Sequence, residues 1–408
     1  MAGRTAQAAA ERDGTTVDAV AVERVNALGA RWGRELDFAA GQVWTALGVW
    51  PLLALLAAGA HGPARDELTA ALGLPAEQAP SVARELLARV GEVPGCTTAL
   101  GLWTANGVEV EPGWLERLDA SMWGKLTGDE AKDRAALDGW VRERTGGLIE
   151  RMPAELSGTL LLLASALTVR TAWAKPFRPA RSRTDLGPWA WRQFTLLTAS
   201  GPELYERIAV AETSAGPVTE VRVVGDGEVD VHLVLGAEAA EPGAVVAAGF
   251  ELLSGAAWRM PVEGLSDGEE WPGLEVESVE SSAPRNSGVL ETVAFRVAAE
   301  HDLLALAGLF GLGTAAGPGS HFPGISRSTP LRVGGAKQAA VAEFSAKGFE
   351  ASAVTVVEMT RGMAVGGPSP FRSRRATARF DRPFAFLAVH RPTGLALVAG
   401  WVAEPAGA

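Results

Sequence analysis

The chain has 408 residues, 47% of them hydrophobic, and a net charge of −11. That length and apolar content suffice for a large core, and the negative balance argues against a general nucleic-acid binder. The single cysteine, Cys96, excludes an intrachain disulfide, which fits a cytoplasmic protein.

Residues 1–24 carry Arg4, Glu11, Arg12, Asp13 and Asp18 with no long apolar run, so they do not read as a secretory leader. They are expected as a poorly ordered N-terminal extension. Val22 to Phe38 has the periodicity of an amphipathic helix. Val43 to Ala60 is uncharged and long enough to raise a membrane span. Pro51 interrupts it and no basic cluster flanks it, so a buried helix is the better reading. Residues 64–73 and 80–91 read as short helices and Thr97 to Asn106 as a strand. Trp114 to Trp123 reads as helical after Pro112. Asp133 to Arg144 is a helix stopped by Gly146-Gly147. Leu160 to Thr171 is an apolar run suited to a strand buried on both faces.

Between 190 and 260 short apolar runs alternate with turn signals: Phe194 to Leu197, Val218 to Val224 and Val229 to Leu235. They predict a second sheet, mostly antiparallel. Leu290 to Val297 is a further strand, Leu303 to Phe310 a short helix, and 331–345 and 376–402 hold the last strands. Helices come early and strands late, an α+β order. No linker-like composition breaks the chain from 25 to 360, so one large domain is expected. Only five of the 37 basic residues are lysine, and Ala and Gly abound, a composition typical of a high-GC genome.

Chemistry is sparse. His61, His232, His301, His321 and His390 lack zinc-ligand spacing, and the Gly-x-Ser-x-Gly, P-loop and dinucleotide motifs are absent. No catalytic group, metal or cofactor is expected. Asp267-Gly268-Glu269-Glu270 reads as a solvated turn. The thirteen tryptophans read as core packing, with a pocket for a hydrophobic small molecule as the sharper reading. Arg372, Arg374, Arg375 and Arg379 form either a solubilising loop base or a docking patch for an acidic surface.

The most informative stretch is 339–359. Ala340 to Ser345 reads as a strand, Gly348 as a break. From there Phe349, Ala351, Ala353, Thr355, Val357 and Met359 alternate with the more polar set Glu350, Ser352, Val354, Val356, Glu358 and Thr360. Side chains alternate faces along a strand, so this segment could bury one face in a sheet. Yet Arg361 and Gly362 lead into a Gly/Pro/Ser/Arg-rich run to Arg375, which reads as an exposed loop. A strand pattern placed at the start of a loop suggests two states.

This stretch resembles the hinge and reactive-centre loop of the serpins. Lys347-Gly348-x-Glu350-Ala351-Ser352-Ala353 matches the hinge. Asp381-Arg382-Pro383-Phe384-x-Phe386 and His390-x-Pro392-Thr393-Gly394 resemble the C-terminal strand pair. Asp138 to Ile149, Trp173-x-Lys175-Pro176-Phe177 and Asp302 to Ile325 are similar to further family segments, in order. The resemblance, to a divergent bacterial-type member, covers roughly 25–405. It implies an α+β serpin fold with a large central mixed β-sheet, two further sheets, N-terminal helices and an exposed reactive-centre loop at about 348–379.

It also implies a function: a monomer, not an enzyme, that inhibits a serine protease as a suicide substrate. The cut loop then enters the central sheet as a new strand. Counting along the loop as the family does places the reactive bond at Arg361–Gly362, which suits a trypsin-like protease. Glu350, Ala351, Ser352, Ala353, Val354, Thr355, Val357 and Met359 would insert after Gly348 and Phe349. Phe349 departs from the small residue usual there, and sequence leaves open whether it hinders or favours insertion. In the region where the sheet parts, Trp50 and Leu53 stand for small serines and Gln338 for a histidine. Arg170 stands near an asparagine, just before Trp173. Arg372, Arg374 and Arg375 are the candidate exosite. These departures keep a second reading open: a non-inhibitory serpin fold that binds, or serves biosynthesis on, a hydrophobic small molecule.

Overall fold

A computed structural model describes residues 2–183, 188–190, 192–349 and 371–407. The first helix, α1 (Ala2–Glu35), starts well before the expected position, so the backbone of the stretch set apart as an extension is helical from residue 2. β1 (Gln42–Trp44) follows. Then come α2 (Trp50–Gly59), α3 (Gly62–Leu72) and α4 (Ala79–Glu92). Each of these three carries proline in its first turn, where a missing N–H costs no hydrogen bond. α2 is buried all round except at Ala58, as its uncharged sequence requires. Among the described residues no helix is long and apolar enough to cross a membrane.

β2 (Cys96–Ala105) leads to α5 (Pro112–Leu115) and β3 (Trp123–Leu126). The helix expected over 114–123 therefore stops after one turn. Asp119 accepts from the Ser121 N–H to cap a 3₁₀ turn, and Trp123 then pairs in parallel with Leu102. α6 (Glu130–Arg144) starts three residues before the expected Asp133, because the Asp129 carboxylate accepts from the Lys132 N–H. β4 (Leu161–Val169) and β5 (Thr171–Ala172) divide the long apolar strand at Arg170, whose N–H turns aside to the Gly95 carbonyl.

Next are β6 (Arg178–Arg183), β7 (Gln193–Gly201), α7 (Pro202–Tyr205), β8 (Ile208–Thr213), β9 (Gly216–Val224) and β10 (Val229–Gly236). α8 (Pro242–Ser254) and β11 (Met260–Pro261) precede β12 (Leu274–Ser281). The strand expected over 290–297 is two, β13 (Ser287–Val293) and β14 (Phe295–Asp302), broken where the Ala294 N–H leaves for the Thr195 carbonyl. Two one-turn helices, α9 (Ala307–Phe310) and α10 (Gly313–Ala316), lead to β15 (Gly335–Phe344) and β16 (Gly348–Phe349). The chain ends with β17 (Phe371–Arg379), β18 (Phe384–His390) and β19 (Leu395–Val402).

Three sheets result. The central one runs β3-β2-β4-β15-β16-β5, with β14 on the free edge of β15. A second runs β1-β19-β18-β10-β9-β8-β11, and a third β12-β17-β13-β7-β6. The main core lies between the first two: Phe344 and Phe295 of the central sheet stack at 5.3 Å, and Phe295 meets Phe386 of the second at 4.9 Å. A smaller core under α6 covers the other face of the central sheet through Leu137, Val141, Leu162, Ala164 and Ala166. The architecture is the α+β arrangement of three sheets and early helices that the sequence predicts.

Candidate functional site

The hinge is already part of the central sheet. After β15 the chain turns tightly, with the Ser345 N–H and hydroxyl both donating to the Gly348 carbonyl, at 2.9 and 3.1 Å. β16 then runs back antiparallel, Phe349 opposite Phe344 on one side and Thr171 on the other. A Cβ on Gly348 would lie 2.4 Å from the Thr171 carbonyl oxygen, so only glycine lets the two backbones approach this closely. Phe349 is 2% exposed, its ring 6.0 Å from Phe386 of the second sheet. The ring thus already has a seat in the core, and burial of such a ring contributes about 1.5–3 kcal/mol.

Trp173 holds the turn from behind. Its backbone N–H donates to the Lys347 carbonyl at 2.9 Å, and its indole N–H to the Ser345 carbonyl at 2.8 Å. The Phe177 N–H takes the Ala346 carbonyl at 2.8 Å. The indole also packs on Phe344, centroids 4.7 Å apart.

Lower down, β15 and β4 pair directly and in parallel, Gly335 with Leu162 through Ala339 with Ala166. Gln338 lies opposite Ser165 in this seam and is fully buried. Its Nε2 donates to Ser165 Oγ at 3.1 Å and to the Thr45 carbonyl at 2.9 Å, while its Oε1 accepts from the Thr45 N–H at 2.9 Å. One side-chain amide thus pairs with a backbone as a neighbouring strand would. His301, opposite Gln338 on β14, donates from Nε2 to the Val43 carbonyl at 2.8 Å. Burial lowers its pKa, against the smaller opposing effect of that hydrogen bond.

Of the residues the sequence singled out, Gln338 lies in this seam and Trp173 at the hinge, while the others sit elsewhere. Trp50 is buried but points to α3, donating its indole N–H to the Leu72 carbonyl at 3.1 Å. Leu53 is buried on α2. Arg170 sits past the end of β4, so the cross-strand partner of Gln338 is Ser165. Ser165 and Thr45 gave no sequence signal: each is one short polar residue in an apolar run.

The far end of the loop returns as β17, so part of the run read as a loop is strand. β17 pairs antiparallel with β12 from Phe371 to Ala378 and parallel with β13 from Arg375 to Arg379. Arg374 bonds Asp267 at 3.1 Å and also the Glu263 and Leu265 carbonyls. Arg375 stands 3.9 Å from Glu277, and Arg372 lies opposite Glu280. Acidic partners thus surround the suggested exosite. Glu350, Ala351, Ser352, Ala353, Val354, Thr355, Val357, Met359, Arg361 and Gly362 lie outside the described residues.

Among the described residues no three His, Cys, Asp or Glu side chains gather to hold a metal ion. Burial pushes the Cys96 thiol up to about 12, which makes it inert.

Comparison with known proteins accounts for this arrangement. The sequence model of the family Serpin (serine protease inhibitor) matches residues 39–187 and 289–405. A serine protease inhibitor of Cyanea capillata is 26% identical over 381 residues, 89% of this chain and 92% of that protein. Human thyroxine-binding globulin shares the fold at TM-score 0.71 and 16% identity, covering 95% of this chain and 98% of that one. Native protease nexin-1, crystallised with heparin, does so at 0.69 and 16%, covering 96% and 100%. The thermophilic serpin Tengpin in its native state gives 0.70 and 14%, covering 95% and 94%. The chain belongs to the serpins, a family of serine protease inhibitors rather than enzymes.

Proposed function

We propose that this serpin, acting as a monomer, traps a trypsin-like serine protease as a suicide substrate. The protease serine attacks the Arg361 carbonyl carbon, the Arg361–Gly362 bond breaks, and the Gly362 amine leaves with its own half of the chain. The acylated loop, freed at that end, then extends β16 down the central sheet.

The observation that carries this reading is the register of β16. Continued downward, it gives each loop residue one partner on β15 and one on β4 or β5. Ala351 would meet Ala342 and Val169, Ala353 would meet Ala340 and Leu167, and Thr355 would meet Gln338 and Ser165. Gln338 and Ser165 are partners of each other now. Both strands therefore independently call for the same residue, and insertion would need no slip. Ala351 and Ala353 enter a face crowded by Phe344 and the second sheet. Thr355 would bring a hydroxyl to the place where insertion breaks the Gln338–Ser165 bond, so a buried polar group would keep a partner.

The test is incubation with trypsin. A complex that survives SDS, with a released C-terminal fragment whose mass begins at Gly362, is the expected result. Cleavage without complex at any trypsin ratio overturns it. A second reading, a serpin fold used to bind a hydrophobic small molecule, draws support from the likeness to thyroxine-binding globulin. It predicts a cut form that melts no higher than the intact one, whereas insertion predicts a much higher melting temperature.

A further inference from the structure

We infer that Arg391 and Asp230, outside the central sheet, are a positioning pair for the loop hinge; this rests on the hinge acting as proposed above. Arg391 follows β18, and Asp230 lies on β10 with 1% exposure of its side chain. The guanidinium grips the carboxylate with two nitrogens: Nε to Oδ2 at 3.0 Å and Nη2 to Oδ1 at 2.7 Å. Such a fork fixes both partners in one plane. Both residues then turn the same atoms on Gly225. Arg391 Nη2 also donates to the Gly225 carbonyl at 3.0 Å, and Asp230 Oδ1 accepts from the Gly225 N–H at 3.2 Å. Arg222 stands 4.0 Å from the same carboxylate.

Gly225 is the backing of the hinge seat. It forms a bridge with Trp173, and its neighbours clasp the same segment: Ala174 N–H to the Val224 carbonyl at 3.0 Å, Asp226 N–H to the Ala172 carbonyl at 2.9 Å. A Cβ on Gly225 would lie 2.2 Å from Thr171 Oγ1, so the turn touches β5 without clearance. On its other side the 171–177 segment holds β16, the Ser345 and Lys347 carbonyls and Ala346. The chain of contact is continuous: ion pair, Gly225, β5 with Trp173, hinge. The pair's hydrogen bonds converge on Gly225, in the turn that joins β9 to β10 and backs onto β5. Its effect is to keep β5 at the distance from β15 that admits one strand.

Arg391→Lys tests this, because lysine keeps the charge but cannot reach both carboxylate oxygens and the Gly225 carbonyl together. Amide hydrogen exchange is followed by mass spectrometry in the intact protein. Exchange in 171–177 and 345–349 is expected to rise about ten-fold, while β2 and β19 keep their protection. With trypsin, the fraction of loop cut without complex should rise in step. Should the lysine variant not fold, the neutral pair Asp230→Asn with Arg391→Gln is measured in the same way. Faster exchange confined to 222–230 and 389–393, with the hinge peptides as in the parent, overturns the inference. That readout needs no protease, so it stands or falls apart from the inhibitor reading: an absence of complex in the parent protein defeats only the latter.

Discussion

At its near end the loop leaves β15 through a tight turn and is held by one buried ring, two backbone pairings and the two N–H groups of Trp173. At its far end the chain enters β17, a strand of 9 residues with ladder partners on both edges and arginines anchored to Asp267, Glu275 and Glu291. The near end sits at the top of a seam that is closed lower down, where β15 and β4 pair directly from Gly335–Leu162 to Ala339–Ala166. The far end is paired with β12 from Phe371 to Ala378 and with β13 from Arg375 to Arg379. On the proposed mechanism the two ends differ in direction of travel: after a cut the near piece would part the β15–β4 pairing and run down the central sheet, while the far piece would stay in the third sheet. Phe349 also collects its burial before any cut. Its ring therefore adds nothing to the drive released by cleavage, but it fixes the register from which the next residues would pair on insertion.

The sharpest way to break this comparison is to spoil the path below the near end. Thr355→Arg would place a charge between Gln338 and Ser165, with no acid beside it in the seam. Burying an unpaired charge costs several kcal/mol, so trypsin should cut the loop at normal rate while complex falls by about a hundred-fold or more. Thr355→Ser should keep inhibition. Equal inhibition by the arginine variant would mean that the loop does not take this register.

Phe349→Ala probes the near anchor itself. Removal of a buried phenylalanine ring costs about 3–5 kcal/mol where the site cannot collapse. Here the hinge can also leave its seat, which caps the loss. The expected outcome is a lower melting temperature and rapid proteolysis within 345–349. A variant as stable and as protected as the parent would show that the ring contributes nothing to the seat. Arg374→Ala probes the far anchor. It removes charge-assisted bonds to Asp267 and to two carbonyls that are only partly shielded from water, so about 1–2 kcal/mol is expected. Exchange should rise in β12 and β17 and stay unchanged at the hinge. If the hinge loosens as well, the two ends are coupled rather than separate.

The same contrast explains what was legible in the sequence. The strand leading into the hinge was readable from local patterning, but Gly348, read as a break, is the first residue of β16 with the turn before it, and the alternation after Phe349 lies outside the described residues. α6 was readable from its glycine stop. β12 was not among the strands read from the sequence: Glu275, Glu277 and Glu280 break up its apolar pattern, and Arg372, Arg375 and Arg379 lie across or beside them in the folded sheet. The first half of β17, Phe371 to Arg375, was hidden in the same way inside a Gly/Pro/Ser/Arg-rich run, while Ala376 onward was read as strand. In the seam, Gln338 stood out by comparison with a family pattern, but Ser165 and Thr45 acquire meaning only when distant strands are brought together. Local patterning is written in neighbouring residues, whereas pairing of charges or amides across strands is written in residues hundreds of positions apart.

The smallest expected effect concerns the seam's titratable member. His301 donates to the Val43 carbonyl and lies edge-on to Trp32 at 5.1 Å. Burial favours its neutral form and lowers its pKa below the ordinary value of about 6.5. In the unfolded chain the imidazole takes up a proton as pH falls through about 6.5, and in the folded chain it does so only at lower pH. Between those two values the unfolded state binds more protons, so stability falls as pH falls; above the unfolded value the contribution is complete. The slope belongs to His301 if it disappears in His301→Gln, whose amide can still donate to the Val43 carbonyl but does not titrate. Denaturant midpoints at pH 7.5, 6.5 and 5.5 in both proteins measure it. Glu220 cannot mimic this signal: burial would raise its pKa, but the bonds from His232 and Arg259 outweigh that and hold its carboxyl at about 2, so its loss begins only in more acid solution. Parallel midpoints for the parent and the glutamine variant across that range would mean that the seam carries no protonation-linked stability and that its hold on β1 is indifferent to pH.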